Sequence, residues 1–159
     1  MKIKNILLWI GGLTALDQLL KFIIDSKYLG ANFEIVPNLF EFRPKYNFNY
    51  TYINDVFDLG MTFWLAIAQV LILSIVVFII YKALRRSSTH KKLIDTGIIF
   101  LYSALLSALI SYIFLGGVLD YIYLKPLFIF DLKDLYLCVG VTLILVARIK
   151  DIRQRVLQT

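Results

Sequence analysis

The sequence predicts an all-α membrane protein: four transmembrane helices, with a small extracytoplasmic β-sheet cradle between the first and second. Three observations lead there. Of the 159 residues 60% are apolar, against ~45–50% in an ordinary soluble domain, and mean hydropathy is +0.77. Four apolar stretches reach the length a helix needs to cross the hydrocarbon core, roughly 20 residues. A long aromatic segment of high β-propensity separates the first two.

The spans are expected at about 5–24, 61–84, 93–115 and 132–149. In lipid the backbone must satisfy its own hydrogen bonds, which makes helices the default for these stretches. The first could be mistaken for a cleaved leader. Its apolar run continues past any small-residue cleavage site and is interrupted by Asp17 and Lys21, so it is expected to be retained. Lys2 and Lys4, the group Lys82, Arg85, Arg86, Lys91 and Lys92, and the group Arg148, Lys150, Arg153 and Arg155 fall on one side of a four-span topology. The positive-inside rule makes that side, and both termini, cytoplasmic. The outer side holds two connections, about 25–60 and 116–131. Within the first, about 32–58, alternation and β-propensity from Glu34 to Tyr52 predict antiparallel strands on the membrane surface. Length suggests a single domain, 1–159.

The net charge of +6 fits lipid-facing basic ends, and no basic stripe with interleaved polar residues argues for nucleic acid. Membrane lipid is the expected environment, and a monomer the expected state. Cys138 is the sole cysteine and His90 the sole histidine, which argues against metal sites built from those ligands. Cys138 is expected to pack as a small side chain, and His90 to be solvated in a charged loop. Trp9 and Trp64 read as core or interface-belt residues. Any catalysis then falls to carboxylates.

Asp17 and Lys21 are four residues apart within a span and share a helix face. Such residues are costly in lipid. They read either as a self-neutralising pair that snorkels outward or as polar groups aimed at a site between helices. Asp120 closes the third span and Asp134 opens the fourth, across a short turn containing Pro126, so both could meet at the outer rim. Two adjacent carboxylates cannot easily both ionise, and the pair then offers an acid and a base together, as hydrolysis of a peptide by water requires. The plainer reading is that Asp131, Lys133 and Asp134 cap the fourth helix and Asp120 is a loop carboxylate.

Asp17-Gln18-Leu19-Leu20-Lys21 resembles the Asp-Gln-x-x-Lys element of signal peptidase II. Val118-Leu119-Asp120-Tyr121 and Phe130-Asp131-Leu132-Lys133-Asp134 resemble the family's Val-Val-Asp-Phe and Phe-Asn-x-Ala-Asp elements. Asn47 is similar in position to the Asn of its Asn-x-Gly-x-Ala-Phe element. The ordered set covers nearly the whole chain. The resemblance implies an aspartyl endopeptidase of the bacterial cytoplasmic membrane that removes signal peptides from diacylglyceryl-modified prolipoproteins and needs no metal or organic cofactor. It implies that Asp120 and Asp134 are catalytic. Asp17, Lys21, Asn47, Gly116, Gly117 and Asp131 would bind substrate or support the site. Ser107-Ala108-Leu109-Ile110-Ser111-Tyr112 stands where the family has Gly-Asn-x-x-Asp-Arg, Asp131 stands for Asn, and Lys133 for Ala. The departures keep open a catalytically altered homologue that binds lipidated peptides or partners. A small transporter or channel subunit and a structural assembly factor are further alternatives.

Overall fold

The structure, a computed structural model, describes residues 1–157, apart from the side chains of Tyr52, Ile53 and Asp55. Four helices of 25 residues form a bundle: α1 (Ile3–Lys27), α3 (Phe63–Ser87), α4 (Lys91–Leu115) and α5 (Leu132–Val156). A short helix, α2 (Tyr52–Phe57), precedes α3. α1, α3 and α4 are long and apolar enough to cross a membrane. α5 is as long, but it is free of charge only from Leu135 to Ala147.

α4 is the central helix and packs against α1, α3 and α5. Ile98, Ile99 and Leu101 of α4 meet Ile6 of α1, while Ala108 and Tyr112 meet Ala66 and Val70 of α3. α4 and α5 cross where two glycines face each other. A Cβ on Gly97 would lie 2.9 Å from the Gly140 carbonyl oxygen, and one on Gly140 would lie 2.9 Å from that of Gly97. Small residues at such a crossing let backbones pack closely without a hydrophobic drive between helices. The outward surface keeps large apolar side chains, among them Trp9, Leu19, Trp64, Ile75 and Phe114. That distribution suits lipid as the solvent.

The β-sheet differs from expectation. It has four antiparallel strands in the order β1 (Phe33–Val36), β2 (Phe40–Asn47), β3 (Val118–Leu124) and β4 (Phe128–Phe130). Both outer connections build it, not the first alone. The short turn around Pro126 is the hairpin joining β3 to β4, where apolar residues on each side allow pairing from Ile122 and Phe130 to Leu124 and Phe128. The strand character expected through Tyr52 stops at Asn47, because Thr51 caps a helix there: its hydroxyl accepts from the Asn54 amide.

The pairing of β2 with β3 places Lys45 opposite Asp120 and Asn47 opposite Val118, with a register shift between Phe42 and Lys45. Lys125 ties the strands by ion pairs to Glu34 at 2.7 Å and Glu41 at 2.9 Å. Leu119 and Tyr121 point from β3 toward Ile24 of α1 and close the base of the sheet.

Two side chains depart from their expected settings. Cys138 is exposed on α5 rather than packed, because its neighbour Tyr136 takes the buried position and hydrogen-bonds the Leu13 carbonyl at 3.2 Å. His90 is more than a solvated loop residue. It stands at the N-terminus of α4, with Nδ1 3.0 Å from Asp151 Oδ1 on α5.

Candidate active site

The polar end of the bundle starts from the first turn of α5. Asp131 accepts a hydrogen bond from the Asp134 amide at 3.2 Å, and Asp134 accepts one from the Asp131 amide at 3.1 Å. This reciprocal capping box satisfies amides that the helix leaves without partners. Helix capping, the plainer of the sequence readings, is thus real. It also fixes Asp134 at a defined depth.

Asp120 reaches the same place from β3. Side chains alternate along a strand. With Leu119 and Tyr121 turned toward α1, Asp120 shares the opposite face with Val118, which packs on α3 and α4. Carboxylate oxygens of Asp120, Asp131 and Asp134 all lie within 4.8 Å of one another. The α4–β3 turn makes this approach possible. Gly116 takes φ +66°, the left-handed conformation that stops a helix. Gly117 passes so close to the end of β2 that a Cβ there would lie 2.8 Å from the Asn47 carbonyl oxygen. The Asn47 side chain accepts from the Asn49 amide at 2.9 Å and shapes the turn leaving β2.

A second layer supports Asp131. Asp17, Lys21 and Asp131 are completely buried or nearly so. The Lys21 ammonium lies 2.8 Å from Asp17 Oδ2 and 2.8 Å from Asp131 Oδ2, and it donates to the Ser111 hydroxyl at 3.3 Å. Gln18 donates to Asp17, to the Ser107 carbonyl and to Ser111. The pair on α1 therefore points between helices and does not snorkel outward. Ser107 and Ser111 carry no charge, but they lie where the polar face of α1 meets α4. Ser111 takes up the contact through its hydroxyl, whereas Ser107 does so through its backbone carbonyl only, its own hydroxyl being buried without a hydrogen-bond partner among the described residues.

Lys133, absent from the residues singled out as site candidates, is the cation among the acids. Its ammonium lies 3.0 Å from Asp131 Oδ1, 3.2 Å from Asp134 Oδ1 and 3.5 Å from Asp120 Oδ1. Its place beside Asp134 was legible in the sequence. Its reach to Asp120, which depends on the hairpin, was not. Burial pushes the Asp120 carboxyl up to about 7, with Lys133 opposing and the neighbouring Asp131 and Asp134 reinforcing the rise. Asp120 Oδ1 is buried and has no hydrogen-bond donor among the described residues.

Asp120, Lys133 and Asp134 open on a cleft of about 960 Å³. Its walls come from the end of β2 with Asn47, from Tyr112 of α4, from β4 and from the apolar side chains Leu59, Met61 and Leu137. Asp17, Lys21 and Asp131 lie behind it.

A helical bundle of lipid-facing character, with paired carboxylates opening on a cleft at one end, is the architecture of a membrane-embedded enzyme. Residues 9–150 match the family model described as signal peptidase (SPase) II. The chain therefore belongs to the signal peptidase II family, which makes it a peptidase by descent. Lipoprotein signal peptidases of Staphylococcus aureus strains Newman and N315 are each 28% identical over 142 residues, covering 85% of this chain and 82% of the relative. Two solved bacterial membrane enzyme structures, obtained by the in meso method at 2.3 and 1.9 Å resolution, share the fold. Their TM-scores are 0.69 and 0.67 at 22% and 23% identity; the alignments cover 95% of this chain and 91% and 96% of theirs.

Proposed function

We propose that this chain is an aspartyl endopeptidase that removes signal peptides from diacylglyceryl-modified prolipoproteins, with Asp120 and Asp134 as its catalytic pair. The observation that carries the reading is the meeting of these two acids. They come from different elements, yet their carboxylate oxygens lie within 4.8 Å at the wall of an open cleft. Family membership supports the peptidase activity, and the named Staphylococcus relatives support the lipoprotein substrate.

Hydrolysis needs a base for water and a proton for the leaving amine. Asp120 suits the base, since its buried Oδ1 accepts no hydrogen bond and has only the Lys133 ammonium near it, at 3.5 Å, whereas both oxygens of Asp134 already accept hydrogen bonds. Asp134 then orients the water from the other side. The apolar walls of the cleft suit a substrate that brings acyl chains with its peptide. Asn47 borders the peptide path, and Asp17, Lys21 and Asp131 hold the start of α5 in place. Gly116 and Gly117 permit the close approach of the turn.

In this reading α5 is a fourth span. Leu135, Val141, Leu145 and Ile149 turn outward, and Arg148, near one end, faces Asp151 at 3.9 Å. Both termini and the α3–α4 connection lie on the cytoplasmic side of a bacterial membrane, with the sheet on the outer side.

The test is cleavage of a diacylglyceryl-modified prolipoprotein by purified protein in lipid, read by gel shift. The native chain should convert it, and Asp120→Asn and Asp134→Asn should each lose about 10³-fold in rate or more. A folded native chain that binds the prolipoprotein without cleaving it would establish the catalytically altered homologue instead.

A further inference from the structure

α3 is the most apolar of the three helices long and apolar enough to cross a membrane. From Phe63 to Ile80 its hydrogen-bonding side chains are Trp64 at the outer end, Gln69 and Ser74. Ser74 is satisfied within the helix, its hydroxyl donating to the Val70 carbonyl at 2.8 Å. Gln69 is half-buried and has no hydrogen-bond partner among the described residues. It borders the cleft on which Asp120 and Asp134 open. A carboxamide withdrawn from water without a partner is costly.

We propose that Gln69 is a substrate-binding residue whose carboxamide grips the extended backbone of the signal peptide, its oxygen accepting from one residue's N–H and its NH2 donating to the same residue's carbonyl. The inference rests on the peptidase reading above and deepens it by naming a group that holds the signal side of the cleavage point.

Packing fixes where Gln69 faces. Ala66 and Val70 are buried against Ala108 and Tyr112 of α4. Gln69 follows Ala66 by three residues, so it lies at the edge of this packed face and reaches the cleft. It is the seventh residue of α3, about 9 Å along the helix from its outer end at a rise of about 1.5 Å per residue. Neighbouring polar groups of the cleft are engaged. Tyr112 donates to the Tyr50 carbonyl at 3.1 Å, the Asn47 side chain accepts from the Asn49 amide, and Lys133 lies among three carboxylates. Gln69 keeps both a donor and an acceptor to offer.

The substrate has a matching need. A signal peptide that crosses hydrocarbon as a helix pairs its own amides and carbonyls. The stretch that enters the cleft for cleavage must leave the helix, and its freed backbone groups then lie where water is scarce. In an extended strand the N–H and C=O of one residue point to the same side. A carboxamide, with one acceptor oxygen and an NH2 group, complements that pair.

The experiment uses a synthetic diacylglyceryl lipopeptide spanning the cleavage point, in lipid. A set of relatives each has one signal-side backbone amide replaced by an ester, which removes a single N–H. KM and kcat are measured for the native protein and Gln69→Leu. We expect Gln69→Leu to raise KM about tenfold, the worth of one to two hydrogen bonds, and to keep kcat within about twofold. One ester position should raise the native KM several-fold and leave that of Gln69→Leu unchanged. Leucine suits an apolar helix, so the variant should melt no lower than the native protein. A native KM in Gln69→Leu, ester effects equal in both proteins at every position, or a lowered melting temperature would overturn the proposal and leave the peptidase reading intact. So would a Gln69→Leu penalty that vanishes with an ether-linked dialkyl lipopeptide, because the partner would then be the lipid ester. No cleavage of the all-amide lipopeptide by the folded native protein would overturn the peptidase reading itself, and this inference with it.

Discussion

At the scale of single residues, the site is a balance of charge against burial. Asp120 illustrates it. Its folded-state pKa is raised toward about 7, chiefly by burial, so the folded chain holds that proton more tightly than the unfolded chain does. Its contribution is most favourable below about pH 4, where both states are protonated, and it is lost as pH rises toward about 7. Asparagine cannot ionise. The melting temperature of Asp120→Asn should therefore gain on the native protein between those limits and hold a constant lead above them. Thermal unfolding across that range checks this, and a difference independent of pH would contradict it. The two aspartates were legible because each sits in a short ordered element at the edge of an apolar run. Lys133 was visible only as a neighbour of Asp134, since its contact with Asp120 belongs to the hairpin rather than to spacing.

At the scale of elements, helices were the easiest to read, because a spanning run of apolar residues has one stable solution in lipid. Half of their ends moved outward by two or three residues, where polar residues such as Ser26, Lys27, Lys91 and Lys92 extend the helices beyond the apolar stretch; α3 began two residues later than expected and α5 ran seven residues further. The sheet was harder. β3 and β4 are short and merge into the apolar flanks of α4 and α5, so hydropathy alone cannot separate them from the helices. The α1 pair was ambiguous for a related reason: spacing establishes that Asp17 and Lys21 share a face but not where that face points. With Lys21 bridging Asp17 and Asp131, replacing it by Met would strand the buried charge of Asp17 and leave Asp131 to Lys133 alone. A loss of about 3–5 kcal/mol in stability is expected, measured by thermal or denaturant unfolding in detergent. Restoring part of it with Asp17→Asn in the same chain would show that stranded charge is the cause, and an unchanged melting temperature in the single variant would refute the bridge.

At the scale of the whole molecule, the prediction concerns α5. Cys138 is exposed on it and lies within its uncharged stretch. If α5 spans the membrane, a charged maleimide should fail to label Cys138 in intact vesicles added from either side, and should label it after denaturation. Labelling from one side in sealed vesicles would place α5 outside the hydrocarbon. The order in which the chain is made has a further bearing on β2. Its partner β3 lies beyond two helices of 25 residues, and Lys133 and Asp134 come later still. A ribosome releases β2 long before anything can pair with its far edge, and α3 and α4 must be inserted in between. The half-made protein consequently has neither a closed sheet nor paired acids. On the proposed reading, cleavage can begin only once the last long helix has brought Asp134 to Asp120.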